Sequence, residues 1–440
     1  MGIHADWAKI WKAEGSEYVE SDKGVKTVFV DGQILLMKST IPDTGSSWKD
    51  FVDRNFTRRL VALHRKYEHV IISFDNYEQV PLYKSIEQAR RVVVKETDTP
   101  FVFNVGDNVP NRPPGAKVWA KALLNRTFKT NIITMITTML ARGYDPQLQR
   151  KTLIIDFINV VRIDFTSYAR KQEVMADMLP MGESDVKFMR YAEKFGDLAV
   201  ESVDSDVVLI AMLYLQNTNF KHRIFVKRIK SPPIDETVCE KRKRTEGKPP
   251  GLEYETLCVN ILLRMLHKAC IEAVGRELVV AENHLTHILV CVMLLNGSDY
   301  SRGLPRVGAR ALWEMMDIVV PALVATSHMV ANSIVLDHEN CTDIVFAEIY
   351  KTKFNKHVKV PDCSFEVVRG ELMSSKLSYA IKNSIPTQTA IACTMQNIAW
   401  VMEYWALFNT GPPVCHKGGH GFVVTDGKVR FSDTQNRVNE

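Results

Sequence analysis

Three short apolar runs, each ending in acidic residues, constrain the fold of this chain more than any other feature. They are VKTVFVD at 25–31, HVIISFD at 69–75 and AVESVDSD at 199–206. Their apolar residues come in runs rather than in strict alternation, and AVESVDSD leads into the apolar VVLIAMLYL, a pattern typical of strands buried on both faces of a parallel sheet. Helical segments separate them, including residues 120–142 and 183–196. This alternation predicts an α/β fold with a mostly parallel central sheet flanked by helices.

The composition is that of an ordinary globular protein, with 46% hydrophobic and 24% charged residues in a chain of 440. The N-terminal segment lacks the apolar core of a signal peptide, and no stretch has the roughly 18 uninterrupted apolar residues of a membrane helix. We therefore expect an intracellular protein with no membrane partner. A net charge of +5 permits a polyanionic partner without requiring one. The basic run at 241–244 is either a solvated loop or a nuclear import signal.

Seven acidic residues form a candidate site. They are Asp31, Asp75, Glu183, Asp185, Asp204, Asp206 and Asp299. Taken singly, each is more often a helix cap, a turn residue or a solvated side chain. Taken together, acids at the carboxyl edge of a parallel sheet repel one another, and their burial is unfavourable unless cations compensate. Oxygen ligands select Mg²⁺ or Mn²⁺, and two such ions about 4 Å apart can activate water and stabilise the leaving oxygen of a phosphodiester.

The order of the motifs around these acids resembles the flap endonucleases and their XPG-type relatives, which are 5′ structure-specific nucleases. The motifs are Gly2-Ile3, VFVDG at 28–32, SFDN at 73–76, GESD at 182–185, VDSD at 203–206 and LLNGSDYSRGLPRVGARAL at 294–312. The chain departs from the family where Asp185 replaces a Glu and where Met37 replaces a base-stacking Tyr. It also lacks a sliding-clamp-binding pattern at its C-terminus, so clamp binding is in doubt.

The resemblance implies a PIN-like 5′ nuclease domain in which the seven acids hold two Mg²⁺ ions, with Mn²⁺ able to substitute. It also implies that Lys84 and Arg91 act at the scissile phosphate. Seven residues are two helical turns, so these two side chains share one helix face. By contrast, Asp156 and Asp164 are interpreted as strand-edge residues rather than metal ligands.

The segment near 303–315 resembles the family's helix-two-turn-helix, which implies a K⁺ site and contacts to duplex DNA. Gly303 and Gly308 are expected to allow its tight turn. The candidate DNA-binding residues are Gly2, Arg302, Gly303, Arg306, Gly308 and Arg310. Such contacts go to the DNA backbone, so they set position rather than base sequence.

The predicted organisation is a nuclease core at 1–315 and a helix-rich C-terminal region at 316–440. The core comprises an N-terminal region at 1–91, a divergent arch insert at 92–181 and an internal region at 182–315.

The predicted function is Mg²⁺-dependent hydrolysis of DNA at flaps or junctions during replication, repair or recombination. Branched or gapped DNA is the expected partner, and the nucleus or a viral replication compartment is the expected location. One alternative is a 5′–3′ exonuclease acting on DNA or RNA. Another is a catalytically inactive scaffold that binds DNA structures, which lost acids would favour, although all seven positions are acidic here.

Overall fold

The computed structural model describes most of the chain, and every structural statement below concerns the residues it describes. These are 4–40, 47–76, 119, 122–166, 169–178, 182–202, 204, 206–229, 254–275, 280–298, 303–359, 364–406, 422–425 and 428–431.

An eight-stranded sheet organises the fold, in the order β5-β4-β3-β2-β1-β6-β7-β8. Its strands are β1 (Thr27–Asp31), β2 (His69–Ser73), β3 (Lys151–Asp156), β4 (Val160–Phe165), β5 (Arg170–Val174), β6 (Leu198–Glu201), β7 (Ile224–Ile229) and β8 (Tyr254–Cys258). Strands β3, β2, β1, β6 and β7 are parallel. Antiparallel strands β4 and β5 extend one edge, and antiparallel β8 extends the other. The predicted α/β fold with a mostly parallel sheet flanked by helices is confirmed.

The order in which the chain adds strands to the sheet reverses at β1. The chain first adds β2 and β3 on one side of β1, and later adds β6 and β7 on the other. In open α/β sheets, a crevice forms at the carboxyl ends of the strands where the order reverses, and ligands bind there. The ends of β1 and β6 therefore define the place where a site is expected.

Helices cover both faces of the sheet. They are α1 (His4–Glu14), α2 (Gly32–Met37), α3 (Trp48–Val52), α4 (Arg58–His64), α5 (Arg126–Gly143), α6 (Ser184–Phe195), α7 (Asp206–Asn217), α8 (Val259–Val274), α9 (Glu282–Leu294), α10 (Ala309–Glu314), α11 (Met316–Ala325), α12 (His338–Cys341), α13 (Ala347–Lys353), α14 (Phe365–Ser374), α15 (Tyr379–Lys382) and α16 (Gln388–Ala406). Two π-helical segments, Asp53–Thr57 and Thr342–Phe346, continue α3 into α4 and α12 into α13. The described residues also form two hairpins, β9 (Ser327–Val330) with β10 (Ser333–Leu336) and β11 (Phe422–Thr425) with β12 (Lys428–Phe431).

Alternate side chains of the strands enter two hydrophobic cores, as expected for a sheet buried on both faces. Val28 and Val70 belong to the core formed with α3, α4 and α5. Phe29, Ile71 and Val200 belong to the larger core, which contains α6 and α7 and continues into the C-terminal helices.

The acidic run at 199–206 is not one strand ending in acids, so that part of the prediction is wrong. Strand β6 ends at Glu201, and Asp206 is the first residue of helix α7. Every residue of α7 from Asp206 to Gln216 is buried. A helix that is apolar on all sides has no amphipathic period, so periodicity cannot distinguish it from a buried strand.

The described part of the C-terminal region is mostly helical, and its last described helix packs into the sheet-bearing part of the chain. Helix α16 contacts α7, α9 and β10, and its residues Val401 and Trp405 lie in the same core as Phe29 and Val200. The division at residue 315 stays a prediction. Among the described helices, none combines the length and the apolar character that crossing a membrane requires.

Candidate active site

Asp31 is the last residue of β1 and lies at the reversal point of the sheet. It is also the N-cap of α2, where its Oδ1 accepts a hydrogen bond from the backbone N–H of Gln33 at 2.9 Å. The next residue must be small, because a Cβ at Gly32 would lie 2.5 Å from the ring of the buried Phe74. The VFVDG motif therefore packs the end of β1 tightly against the end of β2.

Asp75 follows β2 and joins that strand to α6. Its Oδ1 accepts a hydrogen bond from the backbone N–H of Ser184 at 2.9 Å. Glu183 occupies the N-cap position of α6, but its side chain forms no cap hydrogen bond, and Asp75 accepts the backbone N–H of Ser184 instead. The distant aspartate thus performs the capping role, and Glu183 is fully buried.

Asp204 and Asp206 form a hydrogen-bonded turn between β6 and α7. The backbone N–H of Asp204 donates to Oγ of Ser202, and the backbone N–H of Asp206 donates to Oδ1 of Asp204, each at 3.1 Å. Hydrogen bonds of this kind, spanning two residues, are typical of Ser and Asp in turns. The Asp206 side chain is fully buried at the start of α7.

Three of these carboxylates share one arrangement, because Asp31, Asp75 and Asp204 each use Oδ1 to accept a backbone N–H at or beside a helix start. The N-terminus of a helix carries partial positive charge, which favours a carboxylate there. An ionised carboxyl has two oxygens and about four acceptor positions. The hydrogen bonds from the backbone amides therefore hold each carboxylate in a fixed orientation.

The charges of these aspartates converge. Burial and the nearby carboxylates of Asp75 and Asp204 raise the pKa of Asp31 to about 8, although the hydrogen bond from the N–H of Gln33 lowers it. Residues from the ends of β1 and β2 and from the β6–α7 turn therefore lie close enough to repel one another. A bound cation would relieve this repulsion.

Tyr404 of α16 lies near the acids at the start of α6 and also near Asp75. Its hydroxyl donates to Oε2 of Glu183 at 3.4 Å. Burial, followed by the carboxylates of Glu183, Asp185 and Asp75, raises the pKa of Tyr404 well above its ordinary value. Asp75 thus links the aspartates near Asp31 to the acids of α6. We call the residues brought together here the acidic cluster; they are Asp31, Asp75, Glu183, Asp185, Asp204 and Asp206.

The donor set of the acidic cluster fits a hard divalent cation, because carboxylate oxygens are the ligands that Mg²⁺ and Mn²⁺ prefer. Within the described residues, however, no three acidic, histidine or cysteine side chains surround one point as a complete metal-binding group. Asp299, the seventh predicted ligand, lies outside the described residues. Carboxylates that repel one another are expected to draw closer only when a cation is bound.

Sequence reasoning did not identify the partners of Asp156, which ends β3 in the same row of the sheet as Asp31. Nζ of Lys187 lies 2.9 Å from Oδ1 of Asp156, and the hydroxyl of Tyr191 lies 2.8 Å from Oδ2. Lys187 also donates to the carbonyl of Phe74 at 2.8 Å. These contacts engage both oxygens of Asp156, in accord with its interpretation as a structural residue. The feature of the sequence that could have indicated these contacts is Lys187, a lysine on the face of α6 that is buried.

The turn at 303–308 differs from its predicted form. The residue in the left-handed region is Arg306, with φ of 66°, whereas Gly308 has φ of −92°, which any residue adopts. Gly303 is needed for a different reason, because a Cβ there would lie 2.4 Å from the carbonyl oxygen of Asn296. The prediction that Gly308 supplies the tight turn is therefore wrong.

The two described arginines of this segment both have protein contacts. Nε of Arg306 donates to Oγ of Ser384 at 3.1 Å. Nε of Arg310 lies 2.8 Å from Oε1 of Glu314, and the Arg310 side chain is 86% exposed. The remaining predicted site residues lie outside the described residues. They are Gly2, Lys84, Arg91, Asp299 and Arg302.

A scan against protein-family models found no matching family, and a search of curated proteins found no match. The function must therefore be argued from the site, since a fold alone does not define an activity.

Proposed function

We propose that the acidic cluster binds Mg²⁺ and that the protein is a structure-specific 5′ nuclease that hydrolyses DNA at flaps or junctions. The observation that carries this proposal is the convergence of Asp31, Asp75 and Asp204 at the reversal point of the sheet. Asp156 differs from these three acids, because the buried ammonium group of Lys187 neutralises its carboxylate. Acids gathered at a sheet edge with mutual repulsion are a pattern of functional sites rather than of stable cores.

The chain's own residues would prepare the site for the metal. The backbone amides of Gln33, Ser184 and Asp206 orient the carboxylates of Asp31, Asp75 and Asp204. Burial of Glu183 and Asp206 keeps water away from their carboxylates and strengthens their attraction to a cation. When bound, two Mg²⁺ ions would supply an activated water and stabilise the charge of the leaving oxygen. Asp299 is proposed as a further ligand.

Binding of DNA is proposed to use the basic residues around this edge. Lys84 and Arg91 are proposed to contact the scissile phosphate, Lys as a point charge and Arg as a bidentate donor. Gly2, Arg302 and Arg306 are proposed to contact the DNA backbone, and a K⁺ ion is proposed in the turn at 303–308. The exposed ion pair of Arg310 with Glu314 contributes little stability, so a phosphate can replace Glu314.

Cleavage of end-labelled DNA in Mg²⁺ tests the proposal. Flap, nicked, blunt and four-way substrates are incubated with the wild-type protein and with Asp206→Asn, which removes one charge at nearly constant size. We expect cutting near the flap junction by the wild-type protein and a loss of at least about 100-fold in the variant. Thermal unfolding of both proteins checks that the variant is folded.

Other outcomes would replace the proposed function. Stepwise shortening from the 5′ end of DNA or RNA would assign an exonuclease. Tight structure-selective binding without cleavage of any substrate would assign an inactive scaffold. Cleavage that persists unchanged in Asp206→Asn would place the chemistry outside the acidic cluster.

A further inference from the structure

A residue of α16 contacts the acidic cluster across 221 positions of sequence. Tyr404 lies near the end of α16, and its hydroxyl donates to Oε2 of Glu183 at 3.4 Å. No motif around residue 404 marks it as a site residue. The contact arises because α16 packs against α7, whose first residue is Asp206.

The ring of Tyr404 is held firmly in place. It is 2% exposed, and it stacks on the ring of Trp400 one helical turn earlier, with centroids 5.3 Å apart and planes at 9°. Trp400 is itself buried in the core that contains α7. The position of the hydroxyl is therefore set by packing, and it does not depend on a mobile surface side chain.

Glu183 is buried, and its side chain does not form the cap hydrogen bond of α6. A buried carboxylate needs donors to fix its orientation and to stabilise its charge. Tyr404 supplies a donor to Oε2, and as a neutral phenol it adds no charge to a region already rich in carboxylates. This contact therefore fixes the orientation of the Glu183 carboxylate through Oε2.

We propose that Tyr404 is a positioning residue for metal binding, which orients Glu183 through its hydroxyl and so makes α16 a part of the nuclease site. This inference rests on the proposed function. Groups that hydrogen-bond to metal ligands fix the geometry of those ligands, and their removal typically weakens metal binding by about 10- to 100-fold. A chain truncated before α16 would lose this contact along with part of its core.

Mn²⁺ titration followed by electron paramagnetic resonance tests the inference without reliance on catalysis. Tyr404→Phe removes only the hydroxyl, and Tyr214→Phe is a matched control. The hydroxyl of Tyr214 also donates to a glutamate, the partly buried Glu193, at 3.0 Å from Oε1, but that pair lies outside the acidic cluster. We expect the dissociation constant for Mn²⁺ to rise about 10-fold or more in Tyr404→Phe and to stay unchanged in Tyr214→Phe.

The outcomes separate this inference from the proposed function. Equal Mn²⁺ affinity in the wild-type protein and Tyr404→Phe, with binding lost in Asp206→Asn, would overturn the role of Tyr404 and leave the metal site standing. Mn²⁺ binding that Asp206→Asn does not weaken would overturn the metal site and this inference together.

A second measurement applies if Tyr404→Phe does not fold. The protein is labelled with 3-fluorotyrosine at position 404, and its ¹⁹F resonance is followed as Mg²⁺ is added. The resonance is expected to shift, and the shift is expected to disappear when Asp206→Asn is added to the labelled protein. A label at position 214 is expected not to respond. If the ¹⁹F resonance at position 404 does not shift when Mg²⁺ is added, in a protein that binds Mn²⁺ at the acidic cluster, the inference is overturned.

Discussion

The ammonium group of Lys187 lies 2.9 Å from Oδ1 of Asp156, and both side chains are almost completely buried. This pair ties α6 to the end of β3, and the carbonyl of Phe74 and the hydroxyl of Tyr191 complete its hydrogen bonds. It holds the helix that carries Glu183 and Asp185 against the carboxyl edge of the sheet. The pair therefore supports the acidic cluster without belonging to it.

Lys187→Met is expected to destabilise the protein by about 3–5 kcal/mol, because it leaves the Asp156 carboxylate buried without its cation. Urea-induced unfolding measures the change. Lys194→Met, on the same helix, is the control, because Lys194 pairs with the exposed Asp177. Exposed pairs contribute at most about 1 kcal/mol. Equal effects of the two substitutions would show that the buried pair does not stabilise the fold.

Gly303→Ala and Gly308→Ala are expected to differ sharply. The Cβ of an alanine at 303 would lie 2.4 Å from the carbonyl oxygen of Asn296 and 2.8 Å from the backbone nitrogen of Gly297. Backbone cannot yield as a flexible side chain can, so we expect a loss of about 2 kcal/mol or more. A Cβ at 308 meets nothing within 4 Å, and that change should stay within about 0.5 kcal/mol. Similar melting temperatures for the two variants would contradict the close approach at Gly303.

Asp75→Asn is expected to stabilise the protein in EDTA and to abolish its stabilisation by Mg²⁺. The amide oxygen can still accept the N–H of Ser184, while removal of the charge relieves repulsion with Asp31. At pH 8.5, we expect a gain on the order of 1–3 kcal/mol without metal. Asp145→Asn is the control, since Asp145 also accepts a backbone N–H, that of Gln147 at 2.8 Å, but is exposed and lies outside the cluster. A Mg²⁺-dependent rise in melting temperature that survives in Asp75→Asn would exclude Asp75 as a ligand.

His64 is expected to make the fold sensitive to acid. It is fully buried at the end of α4, and burial, followed by the charge of Lys151, lowers the pKa of His64 to about 4. The folded protein therefore binds this proton more weakly than the unfolded chain, where the pKa is about 6.5. The stability contributed by neutral His64 is complete above pH 6.5 and is lost as the pH falls toward 4.

The size of that loss can be measured by urea unfolding between pH 8 and pH 4. Each tenfold difference in proton affinity corresponds to about 1.4 kcal/mol, so the contribution of His64 is on the order of 3 kcal/mol. His64→Leu, which cannot take up the proton, is expected to reduce the decline in unfolding free energy by about this amount. An unchanged decline would assign the acid sensitivity to other groups.

Local patterns predicted the parts of the site that depend on neighbours in sequence. Strands β1 and β2, helix α6 and the acids at their ends follow from short apolar runs and from the position of each acid within them. The boundary between β6 and α7 was not predictable from periodicity, because the buried α7 is apolar on every side. In the turn at 303–308, the left-handed conformation falls on Arg306, although glycine is the residue that usually adopts it.

Contacts that depend on tertiary packing could not be found from the sequence. Lys187 appears in the sequence as one charge within an amphipathic helix, and its partner Asp156 is 31 positions away. Tyr404 lies in a region without motifs, and only the packing of α16 on α7 brings it to Glu183. The capping of α6 by Asp75 likewise spans 109 positions. Each of these contacts joins elements that the fold brings together.

Anomalous X-ray scattering from crystals soaked in MnCl₂ is the most direct test of whether the acidic cluster is a metal site. We predict two Mn²⁺ peaks about 4 Å apart, in contact with Asp31 and the carboxylates of the β6–α7 turn. Both peaks should weaken or vanish in crystals of Asp206→Asn. A wild-type crystal with no Mn²⁺ at the acidic cluster, grown from protein that cleaves DNA in Mn²⁺, would contradict the proposed site and place the chemistry elsewhere on the chain.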